Sequence, residues 1–223
     1  MAAAGRRDFL VVVLAFGSGV ADVTTFLALG KVFSSVITGN LVILGLAAAS
    51  TEPNQALRAG LAVAGYSAGV LIGVPIAGRA ARAAAQRIWP TPVTAALCAE
   101  VCLLVAFTAG WETGRHTYAG QIVLLVLLSA AMGIQSAAVL RLGDMSATYL
   151  TGTLTGVLSS LARRERGNGQ TRNVSVLGAV IAGAAIGATL IRIVPGWLPV
   201  AALLPVITVI ATASQTRWAP QPP

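Results

Sequence analysis

Two acids of this 223-residue chain fall inside apolar stretches, Asp22 and Glu100. A carboxylate near the centre of a bilayer costs about 3 kcal/mol on insertion scales, so an acid placed there calls for a proton, a cation or a polar partner. Asp22 precedes Thr38-Gly39-Asn40 by 16 residues, and Gln135 precedes Thr151-Gly152-Thr153 by the same 16. That spacing lets a helix, a turn and a returning half-helix bring Asp22 to Asn40 and Gln135 to Thr153. The residue types suit the task. Thr38, Asn40, Thr151 and Thr153 are good helix caps, Gly39 and Gly152 admit backbone conformations closed to other residues, and free amides at a half-helix N-terminus attract anions or polar groups. The chemistry expected is the binding of a small polar solute or ion, with Asp22 as the coupling or cation-binding group. The bland alternative is an Asp22 held by Lys31, Arg141 or the half-helix amides. Glu100 is a secondary candidate, because a looser alignment places the apolar Ile207 at its position in the second half.

Catalysis has little to be built from. The one histidine, His116, lies in a polar loop beside Glu112 and Arg115. Cys98 and Cys102 share one helix face inside an apolar stretch and read as packing. Zinc sites, Ser-His-Asp triads and Cys-His dyads therefore lack members, and neither an enzyme, a metal nor a cofactor is expected.

The elements that must position these residues are membrane helices. Hydrophobic residues make up 56% of the chain and charged ones 10%, with a mean hydropathy of +0.82. This lies outside the range of soluble domains. Net charge is +8, but the basic residues sit in short loops between apolar segments, so they are read as topology signals and not as a nucleic-acid surface. Long apolar segments run over 9–29, 57–78, 92–109, 120–140, 174–194 and 198–213, with shorter ones at 34–49 and 147–162. The short pair begin near a Thr-Gly step that favours a turn. Arg6-Arg7 followed by Phe9 to Ala21 imitates an export signal, yet the apolar run continues to Leu29, longer than a signal core.

An offset of 113 superposes Thr38-Gly39 on Thr151-Gly152, Leu29-Gly30 on Leu142-Gly143, and Asp22 on Gln135. An offset of 114 superposes Gly65, Gly69 and Gly73 on Ala179, Gly183 and Gly187. The expectation is a duplication, residues 1–110 and 111–223. Its two small-residue ladders would let helix backbones approach closely and meet near a pseudo-two-fold axis. If the short segments only dip into the membrane, 11 basic residues fall inside and four outside (Lys31, Arg58, Arg115, Arg192). If all eight segments cross, nine fall inside and six outside, with Arg79, Arg82 and Arg87 stranded externally. The first layout obeys the positive-inside rule better. It gives an all-α protein of six spans plus two re-entrant or half-length segments, in two inverted three-helix repeats with both termini cytoplasmic. Secondary transporters often use such inverted repeats.

Gly19-Val20-Ala21-Asp22 with Phe26, then Leu29 to Phe33 leading into Thr38-Gly39-Asn40, resembles the YoaK-like family of uncharacterised bacterial membrane proteins. Met132-Gly133-Ile134-Gln135-Ser136 through Thr148-Tyr149 and Thr151 to Leu154 resembles that family's second signature. The resemblance spans essentially the whole chain and implies six spans and a bacterial inner-membrane location, with no assigned activity. Ser136 departs from the Asn that relatives often carry after the Gln. The expected partners are lipid, a small solute or ion and a second copy of the chain, with Arg163 to Arg172 as an orientation anchor facing anionic lipid. The expected activity is that of a small secondary transporter or permease, with a non-transporting scaffold or assembly factor as the rival.

Overall fold

In the computed structural model, which describes residues 2–78, 89–142, 150–163 and 168–215, there is no strand among the described residues. The helices are α1 (Ala2–Ala28), α2 (Ile37–Ala49), α3 (Pro53–Ala77), α4 (Thr91–Gly114), α5 (Tyr118–Leu140), α6 (Leu150–Ala162), α7 (Asn168–Ile193) and α8 (Leu198–Gln215), with a 3-10 turn at Pro195–Trp197. Six of them, all but α2 and α6, are long and apolar enough to cross a membrane. Several outrun their apolar segments: α1 carries Arg6, Arg7 and Asp8, α4 continues past Ala109 to Gly114, and α7 begins at Asn168. Hydropathy marks only the part of a helix that meets lipid, whereas backbone hydrogen bonding carries it on into the headgroup layer. The link between α4 and α5 is therefore 115–117, and residues 110 and 111 both lie within α4.

Local chemistry sets the ends. After α1 the chain turns at Gly30 (φ 112°) and Lys31 (φ 61°), and the Lys31 amide donates to the Phe26 carbonyl at 3.1 Å. This is the Schellman closure, which favours glycine at its left-handed position. The turn expected at the Thr-Gly steps is thus eight residues early in the first half. Thr38-Gly39 and Thr151-Gly152 lie within the helices α2 and α6. Thr117 caps α5, its Oγ1 accepting from the Gly120 amide at 3.1 Å.

Helices α1, α8, α4 and α5 close a ring in which each packs on the next, α5 returning to α1. Helix α3 lies outside against α5, and α7 outside against α1; α2 covers α3 and α6 covers α7. The central helices are the most enclosed, with 61% of the apolar window of α1 and 72% of that of α5 buried, against 28% for α3 and 17% for α7. Leu14, Leu97, Leu104, Phe107, Trp111, Leu125 and Leu128 fill the interior. Leu41, Leu46, Leu71, Leu158, Leu161 and Ile181 face outward. Cys98 and Cys102 are free and exposed on α4, outside the core in which a packing pair is expected.

The glycine ladders do not meet each other. Gly69 of α3 lies on the Ala130 carbonyl of α5, and Gly183 of α7 lies on the Phe16 carbonyl of α1. From the other side, Gly133 of α5 lies on the Tyr66 carbonyl and Gly19 of α1 on the Val180 carbonyl. One step along, Gly73 faces Ile134 and Ala137, and Gly187 faces Val20 and Val23. Each of these α3–α5 contacts has its counterpart in the α7–α1 interface at a spacing of 114 residues. Small residues give the strongest grip where two helices can interlock backbone to backbone, and the partner of each ladder is the first long helix of the opposite half of the chain. Ala179, the half-buried first member of the α7 ladder, stands where the α3 ladder has Gly65.

Candidate functional site

Asp22 lies six residues before the end of α1, about 9 Å down the helix at 1.5 Å per residue. Its Oδ1 accepts from Ser34 Oγ at 2.8 Å and from the Ser35 amide at 2.7 Å, and its Oδ2 accepts from Ser35 Oγ at 2.6 Å. The link 29–36 therefore descends again beside α1, and α2 starts at the depth of Asp22. From there its 13 residues cover about 20 Å, short of the ~30 Å hydrocarbon core, and lead back to α3.

Asn40 grips the same link one residue earlier. Its Oδ1 accepts from the Phe33 amide at 2.8 Å and its Nδ2 donates to the Phe33 carbonyl at 2.6 Å. Asp22 and Asn40 thus converge on residues 33–35 from two sides. Neither is a helix cap: the N-cap of α2 is Val36, which makes no side-chain capping bond. Thr38 is exposed. Gly39 has its place because the Phe33 ring lies over it, 3.2 Å from where a Cβ would stand. Phe33 in turn stacks on Phe26 with centroids 5.2 Å apart, and Lys31 Nζ sits 5.1 Å over the Phe26 ring. Lys31 and Arg141 are therefore not the partners of Asp22; Arg141 Nε donates to the Ala77 carbonyl at 3.2 Å. Ser34 and Ser35 are the residues that sequence reasoning missed. Their signal was two adjacent hydroxyls at the mouth of a short apolar segment.

The second half is arranged differently. Gln135 Nε2 donates across to the Leu14 carbonyl of α1 at 3.4 Å, not to Thr153, and its Oε1 is buried without a partner. Thr153 is buried, whereas Thr151 and Gly152 are exposed. Thr148 and Tyr149 lie outside the described residues. The packing spacing of 114 matches Asp22 with Ser136, and Gln135 with Ala21, which is also fully buried. The Thr-Gly steps keep the spacing of 113, so the second half is one residue shorter between α5 and α6. Glu100 is fully buried, and neither of its oxygens has a partner. Among the described residues no group of three His, Cys, Asp or Glu could hold a metal ion.

Two arginines 114 residues apart tie each outer helix to a central one. Arg58 of α3 donates from Nη1 to the Leu29 carbonyl at 2.6 Å and from Nη2 to Gln121 Oε1 at 2.8 Å, and lies 4.9 Å over the Tyr118 ring. Arg172 of α7 meets Asp8 of α1 at 3.5 Å.

The sequence profile described as "Protein of unknown function (DUF1275)" matches residues 10–213, from the first core residue of α1 into the last turns of α8. The chain belongs to the DUF1275 family. Within the known proteins it is similar to the UPF0700 transmembrane protein YoaK of Bacillus subtilis (strain 168), 34% identical over 166 residues, which cover 74% of this chain and 71% of that one. No solved structure matches. Family membership and the six apolar helices make this a multi-pass membrane protein in contact with lipid.

Proposed function

We propose that the protein is a small secondary transporter or permease for a small polar solute or ion, built from two inverted repeats of three spans and one short helix each. The carrying observation is the exchanged interface: α3 on α5 reproduces α7 on α1, contact for contact, at a constant spacing. Two units that trade the same interface are related by a two-fold. Because an odd number of spans separates their starts, that axis lies in the membrane plane, the arrangement that lets one structure open to either side. The site is centred on Asp22, Ser34, Ser35 and Asn40, with Gln135 and Thr153 as the second half's polar contribution, and Asp22 is the cation-binding or coupling group. The termini are cytoplasmic, the membrane is the bacterial inner membrane, and the role is not enzymatic.

One observation favours the rival, a non-transporting scaffold. Both oxygens of Asp22 are already taken by donors of its own chain, as in a structural staple. Flux separates the two. Purified protein in proteoliposomes, screened against small cations, anions and polar solutes under an imposed proton gradient, is expected to carry one class, and Asp22→Asn to abolish that flux. Flux indifferent to Asp22→Asn sinks the coupling role, and absence of flux for every class favours the scaffold.

A further inference from the structure

We infer that Glu100 is a proton-binding site, its carboxyl group held as the neutral acid inside the ring of α1, α8, α4 and α5. Glu100 sits on the inner face of α4 with Ala96, Leu97 and Leu104, at 0% exposure, and both its oxygens lack a partner. A carboxylate tolerates such a place only with a cation or several donors, as Asp22 has.

The charges that face it offer neither. Helix α1 carries Arg6, Arg7 and Asp8 in its first turns and Asp22, whose oxygens are taken by Ser34 and Ser35; α3 carries only Arg58, engaged at its far end, and the phenol Tyr66; α5 carries Tyr118 at its first residue; α8 carries no titratable group. Arg141, just past α5, is bonded to the Ala77 carbonyl, and the other acid of α4, Glu112, pairs with Arg115 at 3.1 Å. Gly110 and Gly114 face Leu124 and Gly120 across the antiparallel α4–α5 pair. Carried ten residues further along, that register brings Glu100 level with Ile134 and Gln135. Gln135 keeps its amide oxygen unpartnered there, an acceptor that a carboxylic O–H can use and a carboxylate cannot.

The proton site rests on burial and the missing partners; its part in coupling rests on the transport reading, to which it adds the proton as co-substrate and leaves Asp22 the cation. The test uses the full chain in liposomes and reads no flux. Infrared spectra are expected to show the carbonyl stretch of a protonated carboxyl group that is lost in Glu100→Gln and kept in Asp22→Asn. Dicyclohexylcarbodiimide, which adds the O–H of a protonated carboxyl across its C=N bond with no leaving group, is expected to label the wild-type peptide containing Glu100. A wild-type spectrum without that band, or a band that persists in Glu100→Gln, overturns the proposal. Because the wild-type band and label are read on unaltered protein, a misfolded variant leaves the question decided. A protein that shows the band but carries no solute keeps the proton site and loses the transporter.

Discussion

Asp22→Ala removes the acceptor of three short hydrogen bonds, at 2.6, 2.7 and 2.8 Å. The two serine hydroxyls can rotate towards other acceptors, so each loses about 1 kcal/mol of net bond energy. The Ser35 amide is fixed by the backbone at a buried residue, and stranding it costs roughly 1–3 kcal/mol. The sum is about 3 to 5 kcal/mol. For a chain of this size each kcal/mol shifts the melting temperature by about 2–4 °C, so thermal unfolding in detergent is expected to fall by roughly 6–20 °C. Asp22→Asn behaves differently. Its carbonyl oxygen keeps the Ser35 amide and the Ser34 hydroxyl, and its NH2 meets Ser35 Oγ, which turns from donor to acceptor. The cost is under about 1 kcal/mol, because all three contacts survive. Hydrogen exchange at residues 33–36 supplies the local reading: faster in Asp22→Ala, unchanged in Asp22→Asn. An alanine variant that melts with the wild type would refute the staple, and an asparagine variant as unstable as the alanine would refute the bond-by-bond reasoning.

Gly69→Val and Gly183→Val drive a side chain into the Ala130 and Phe16 carbonyls, and each is expected to abolish a monodisperse peak in size-exclusion chromatography. Gly60→Ala and Gly178→Ala have nothing within 4 Å and are expected to raise stability by about 0.5–1 kcal/mol in thermal unfolding. Arg58→Ala frees the Leu29 carbonyl, Gln121 and Tyr118 together, so hydrogen exchange at 29–31 and 118–121 is expected to quicken while the α1–α7 interface stays protected. In a background with Cys98→Ser and Cys102→Ser, single cysteines at positions 52 and 163 are expected to react from outside and inside the cell respectively. Reaction of both from one side would remove the six-span layout.

The apolar segments placed every span, because lipid contact is a property of composition that needs no partner to be read. The ladders Gly65-Gly69-Gly73 and Ala179-Gly183-Gly187 were visible for the same local reason, since a run of small residues marks a face that something approaches. What approaches it was not visible. Helices in lipid have no hydrophobic drive to prefer one neighbour, so the choice falls to interlocking shape, and Gly69 met Ala130 where the sequence suggested the other ladder. The same gap separates the two views of the polar residues.

Asp22 and Asn40 were singled out by type and spacing alone, and both do hold the link 29–36. That they hold it through Ser34, Ser35 and Phe33 depends on the Gly30-Lys31 turn, which reverses the chain eight residues before the Thr-Gly step. The pairing of Asp22 with Gln135 followed a motif spacing of 113, whereas the packed helices keep 114 and set Ser136 in that place. A likeness read along the chain registers on its motifs, but a likeness read in space registers on backbone contacts. A difference of one residue in register is about 100° around a helix, so at the packing register Gln135 takes the place of Ala21 and bonds the Leu14 carbonyl.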